Sequence, residues 1–236
     1  MAPVPALGTV LTCAWSRTTD PGPTREDRIV PDGCVDLIWT GSTLFVAGPD
    51  TGPVLSRSQP GTLVGVRFAP GVAPAVLGLP SVLLRDTRPD LADLDTVDPV
   101  LTTLPDRLAG ADPATAALLL QAAVRDGLRP DLLDPVVPPV LAGLRAGESV
   151  TVLAERLGLT ERALHRRCVA AFGYGPKFTQ RVLRFQRAVR LARTGLPFGR
   201  VAADTGYADQ AHLAREVRAM AGVPLGQLVP TATAVS

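Results

Sequence analysis

Histidine, lysine and cysteine are nearly missing from this sequence. Its 236 residues include two His, one Lys and three Cys. Both histidines, His165 and His212, fall in the last third. A histidine-built metal site of the cupin kind is thereby excluded from the first half, since a metal needs several ligands converging on it. Cys13, Cys34 and Cys168 stand far apart with no CxxC pairing, which suits neither a disulfide framework nor a zinc cluster. Isolated thiols fit a reducing compartment, so a cytoplasmic location is expected. No uninterrupted apolar run approaches the roughly 18 residues that a membrane span needs. The opening MAPVPALGTVLTCAWSR has no basic stretch ahead of its apolar one, so no signal peptide is read. A Gly-rich phosphate loop, an HExxH motif and a Ser/His/Asp arrangement are absent as well. The expectation is a protein that is not an enzyme, with no catalytic residue, no metal and no cofactor.

What is present can build cores. The chain is 46% hydrophobic and only 19% charged, and its length admits two domains. The formal net charge of +2 conceals an asymmetry. Residues 1–110 carry 8 basic and 12 acidic side chains, whereas residues 149–236 carry 13 basic and 5 acidic. Charge divided in this way points to a C-terminal part that meets a polyanion.

The first part reads as strands. VLTCAW, RIVPDGCVDLIW, TLFVAG and TLVGVRF are short apolar or alternating runs separated by turn residues such as PDG, GS, GPDTGP and QPG. Within CVDLIW, alternation puts Cys34, Asp36 and Ile38 on one face and Val35, Leu37 and Trp39 on the other. A compact antiparallel sheet or barrel over residues 1–95 follows. Beyond Gly71, VAPAVLG suits one short helix. DPVLTTLPDRLAG and DPATAALLLQAAVRDG have helical spacing, each opened by Asp-Pro. They make residues 96–133 a helical connector, and from 134 to 236 only helices are expected.

Two stretches in that last part match each other. In AERLGLTERALHRR, Ala154, Leu157 and Leu164 form a seam, Gly158 takes the left-handed turn, Leu159 plugs it and Thr160 caps the next helix. In AADTGYADQAHLAR, the order repeats as Ala202, Gly206, Tyr207, Asp209 and Leu213. Nine residues separate Leu164 from Gly173, and Leu213 from Gly222. These are two helix-turn-helix units, about 150–173 and 198–222, joined by a linker helix about 176–194. A helix of roughly 18 residues is about 27 Å long, which suits recognition helices entering major grooves about 34 Å apart. Arg181, Arg184, Arg187, Arg190 and Arg193 recur along the linker, either as a solvated face or against the DNA backbone.

Outward-facing positions supply the contacts. Arg162, His165, Arg166, Gln210, Ala211 and Arg215 are the candidates for base edges, because Arg matches guanine and Gln matches adenine. Thr160, Glu161, Arg167, Asp209, His212 and Arg218 are the candidates for phosphate contact or capping. His212 can equally brace its turn, and Arg167 and Arg218 can equally be solvated. Cys168 falls at a core position.

The region from about 135 to 232 resembles the AraC-family DNA-binding domain, and GYADQAHLAREVRAMAGVPLGQL is similar to the family's signature. It departs from that signature at Leu213 and Val217, where aromatics are usual, and at Ala211, where a polar residue is common. The resemblance implies an α+β protein of two domains. The N-terminal one is mainly antiparallel β, cupin-like or a small barrel or sandwich with flanking helices, and the C-terminal one is an all-α double helix-turn-helix. VPDGCVDLIW…AGPDTGPV…GTLVGVRFAPGVAPAVLG also resembles a small β-rich domain found on some AraC-like regulators, so residues 1–95 would bind an effector or dimerise. Cys34, Asp36 and Arg67 are the candidates for an effector pocket. The implied partners are double-stranded DNA, a small-molecule effector, a second copy of the chain and RNA polymerase, with no membrane. Two alternatives stand beside a sequence-specific transcription regulator. A DNA-repair methyltransferase with a similar reader needs a four-cysteine zinc cluster, which Cys13 and Cys34 cannot supply. A non-specific architectural DNA-binding protein needs a larger basic surface.

Overall fold

The computed structural model describes residues 8–23, 26–57 and 59–229, so the outermost residues of the two expected domains lie outside the described residues. Six strands form two antiparallel sheets: β1 (Leu11–Thr19), β2 (Glu26–Ile29), β3 (Asp36–Trp39), β4 (Leu44–Ala47), β5 (Val54–Arg57) and β6 (Gly61–Phe68). The larger sheet runs β1-β6-β3-β4, and β2 pairs with β5 as a separate ribbon. The strand pattern alone suggests one antiparallel sheet or a barrel, whereas among the described residues the strands divide between two sheets. The run RIVPDGCVDLIW divides between the sheets because Asp32 makes a turn inside it, its Oδ1 accepting from the Cys34 amide at 2.9 Å.

Strand β3 lies between β6 and β4 and is buried on both faces, so Asp36 and Ile38 are as enclosed as Leu37 and Trp39. The Leu37 side faces the first core. There Leu37, Val46, Val66 and Phe68 pack with Leu101, Leu104, Leu108, Ala117, Leu120 and Val124. These last residues come from α2 (Pro99–Thr102), α3 (Leu104–Leu108) and α4 (Pro113–Asp126), which follow α1 (Ala73–Leu77). The segment expected as a connector, 96–133, therefore covers the sheet. One face of an antiparallel sheet needs a cover, and each leucine sealed there stabilises the fold by on the order of 2 kcal/mol. The cover starts cleanly, since Asp112 accepts from the amides of Ala114 and Thr115 at the head of α4.

The second core is built mainly by helices: α5 (Val137–Ala146), α6 (Val150–Arg156), α7 (Glu161–Phe172), α8 (Pro176–Arg193), α9 (Phe198–Asp204), α10 (Gln210–Ala221) and α11 (Leu225–Leu228). Leu164 and Leu213 sit fully inside it, and so does Cys168. The turns before α7 and α10 contain Gly158 at φ 64° and Gly206 at φ 74°, a backbone that costs a side-chain-bearing residue about 1–2 kcal/mol. Thr160 Oγ1 accepts from the Ala163 amide at 3.1 Å, and Asp209 Oδ1 from the His212 amide at 2.6 Å. Both caps expected from the sequence form.

The two cores meet. Ser81 Oγ donates to the Ala171 carbonyl at 2.9 Å, Gln186 Nε2 to the Pro31 carbonyl at 2.6 Å, and Arg28 Nη1 to the Ala221 carbonyl at 3.2 Å.

Candidate nucleic-acid interface

Helices α7 and α10 are the second helices of the two matched units, and both end on the same part of the first domain. A Cβ placed on Gly173, after α7, would stand 2.6 Å from Pro49 Cγ, and one on Gly222, after α10, 3.3 Å from Pro53 Cγ. Pro49 and Pro53 belong to the single loop between β4 and β5. Four peptide steps span at most about 14 Å, so the C-terminal ends of the two helices are held as neighbours. Their N-terminal halves lead away from that loop. Arg162, His165 and Arg166 on α7, and Gln210, Ala211 and Arg215 on α10, are all exposed. The first domain grips the helix ends where orphan carbonyls need donors and leaves the candidate base-reading residues open.

The phosphate and capping candidates separate by environment. Thr160 and Asp209 cap. Glu161 accepts from the Thr151 hydroxyl of α6, so its carboxylate ties the two helices of the first unit. Arg167 is bound to Asp134 at 2.6 Å, which turns it from the phosphate or solvated role expected of it toward the chain leading into α5. His212 packs edge-on to Tyr207 with ring centroids 5.2 Å apart, and its Nδ1 accepts from the Ala208 amide at 3.3 Å. Of its two readings, bracing the turn is what the geometry displays. Arg218 is exposed.

The linker helix α8 is 18 residues long, and two of its five arginines fasten the second unit. Arg181 bridges Glu216 of α10 at 2.7 and 3.2 Å. Arg184 lies over the Tyr207 ring at 4.5 Å and reaches Glu216 at 3.8 Å. Glu216 escaped the sequence reading, although an acid on a basic recognition helix was its available signal. Arg187, Arg190 and Arg193 stay exposed.

The three effector-pocket candidates come together. Arg67 on β6 lies opposite Asp36 on β3 in register, and donates to it through Nε at 2.9 Å and Nη2 at 2.8 Å. Its Nη1 bridges Asp32 at 2.9 Å, a partner the sequence did not single out. Burial pushes the Asp36 carboxyl above the usual carboxylate range, against the pull of Arg67. Burial, with the Asp32 charge beside it, pushes the Cys34 thiol far up, so Cys34 is a neutral, poorly nucleophilic thiol. Asp32, Cys34 and Arg67 form the floor of a cleft of about 910 Å³ between the two cores. Its other wall is α8 and the Thr205–Gly206 turn of the second unit.

No helix among the described residues is long and apolar enough to cross a membrane. Two family models match the chain, a domain of unknown function (DUF6597) over residues 1–90 and a helix-turn-helix domain over residues 153–229. No curated protein matches it. Among solved structures it is similar to ToxT from Vibrio cholerae O395, at 11% identity over 91% of this chain and 95% of that one, with a TM-score of 0.47. It is likewise similar to ToxT of that strain bound to (E)-4-(8-methylnaphthalen-1-yl)but-3-enoic acid, at 9% identity over 92% and 98% of the chains, TM-score 0.48. The unsaturated fatty acid bound wild-type ToxT of V. cholerae strain SCE256 is 10% identical over 92% and 93%, TM-score 0.45.

Proposed function

We propose that this chain, whose residues 153–229 match a helix-turn-helix domain, is an AraC-type transcription regulator that reads a specific double-stranded sequence through two successive major-groove segments, one per helix-turn-helix unit. The observation that carries the reading is the pair of helices α7 and α10. Each is anchored at its C-terminus on one loop and exposes Arg, His or Gln along its N-terminal half. Arg162, His165, Arg166, Gln210, Ala211 and Arg215 meet base edges. Arg218 and the capped helix starts meet phosphate. The basic excess of residues 149–236 supplies the non-specific part of the affinity. The N-terminal domain is where an effector or a second copy of the chain acts, and RNA polymerase is the downstream contact. The helix-turn-helix match over residues 153–229 supports the regulatory reading.

The reading is tested by titrating the full chain with DNA from upstream of its own gene and with random DNA across a salt series. A specific reader is expected to prefer its own site by about 10³-fold or more near 0.15 M salt. Equal affinities there would reduce the protein to an architectural DNA binder.

A further inference from the structure

The cleft between the two cores has a chemical character that the DNA-reading surface does not use. Five arginines line it, and two of them are committed. Arg67 is held by Asp32 and Asp36, and Arg184 by Tyr207 and Glu216. Asp204, on the same rim, is paired with Arg200 at 3.0 Å. Arg145, Arg187 and Arg190 remain, all exposed and with no ion pair among the described residues. Arg187 and Arg190 are three residues apart on α8 and share one face of it. Arg145 reaches the same cleft from the last turn of α5. Three like charges around one hollow repel one another, and an anion among them removes that repulsion. Guanidinium forks are suited to phosphate and carboxylate, which they bind through paired hydrogen bonds.

We propose that this cleft binds a small organic polyanion, a molecule with two or more phosphate or carboxylate groups, through Arg145, Arg187 and Arg190. Its volume of about 910 Å³ lies toward the upper end of small-molecule sites, roughly 300–1,000 Å³. Leu183, partly exposed, stands among the cationic groups and offers an apolar contact for the body of such a molecule. The cleft also reaches down to Cys34 in the first domain, a depth that a phosphate backbone lying on the surface does not follow. A ligand there touches the first domain, the linker helix and the turn of the second helix-turn-helix unit together. The consequence for gene control rests on the regulator reading above, while the binding itself does not.

The test is calorimetric titration of the full chain, without DNA, with inorganic tripolyphosphate and with citrate as probes near 0.15 M salt. Wild type is expected to bind at least one of them. Arg187→Gln and Arg190→Gln should each weaken binding about tenfold, and Arg187→Lys should recover part of the loss. Arg107→Gln, on an exposed face of α3, should leave it unchanged, with thermal melts checking that every variant folds. Equal binding by wild type and the Arg187→Gln/Arg190→Gln double variant would overturn the site, as would loss of binding in Arg162→Gln instead. Absence of probe binding together with weakened DNA binding by the double variant would assign these arginines to the DNA backbone and overturn it too. Failure of the salt-series experiment with DNA leaves this titration readable, so the two ideas fail separately.

Discussion

Two neighbouring arginines on α7 illustrate how finely a residue's role depends on its direction. Arg166 is exposed, whereas Arg167, one step of about 100° round the helix, is spent on Asp134. Replacing Arg166 or Arg215 by Ala is expected to weaken binding to the specific site by about 1–3 kcal/mol, roughly 5- to 150-fold. Binding to random DNA should fall far less, and the melting temperature should hold. Arg167→Ala should do the reverse, leaving the specificity ratio intact and costing a half-exposed ion pair worth about 0.5 kcal/mol. Paired mobility-shift and melting measurements decide. An unchanged specificity ratio in Arg166→Ala would remove that side chain from base reading. Cys34 teaches the same lesson from the other side. Its position after a PDG turn invites a reactive thiol, yet burial and the adjacent Asp32 hold its proton in place.

At the scale of elements, the two helix-turn-helix units repeat one solution. A helix stops at a left-handed Gly, a short plug follows, and a Thr or Asp caps the helix that carries the candidate reading side chains. Gly158→Ala and Gly206→Ala should each cost about 1–2 kcal/mol. In a domain of about 100 residues that lowers the melting temperature by about 4–8 °C per kcal/mol. A melt no lower than wild type in both variants would mean that the turns relax to another backbone. The strands show where local patterns mislead. VLSR, residues 54–57, is four residues with one strong strand former at its head and carries no strand signal by itself. It becomes β5 by pairing with β2, Arg28 opposite Leu55 and Ile29 opposite Val54.

For the whole molecule, the decisive feature is that the first domain holds the carbonyl ends of both α7 and α10. Ser81 donates to Ala171 near the end of α7, and Arg28 to Ala221 at the end of α10. Ser81 is fully buried, so Ser81→Ala strands a carbonyl in a dry interface at a cost of about 1–3 kcal/mol. Hydrogen exchange in the last turn of α7 should then accelerate, with the strands of the first core keeping their protection. Uniform acceleration through both cores would mean that the two parts unfold as one, and that the contact is structural alone.

The second half of the chain could be read in advance because helix stops, caps and i, i+3, i+4 seams are local. Gly158, Thr160 and Leu164, like Gly206, Asp209 and Leu213, act within a few residues of one another, and their chemistry has the same meaning in any surrounding. The exposure of Arg166 and Arg215 follows from that spacing. The partners of Arg67, Arg167 and Arg181 could not be read, since each is an acid about 31 to 35 residues away and local rules carry no information over that separation. The same holds for the helices of 96–133, whose apolar faces required a cover or something to cover, and for the cleft between the cores. Only the packed chain chose, because a sheet face, a charge pair and a pocket wall are each completed by whatever the fold brings across from elsewhere.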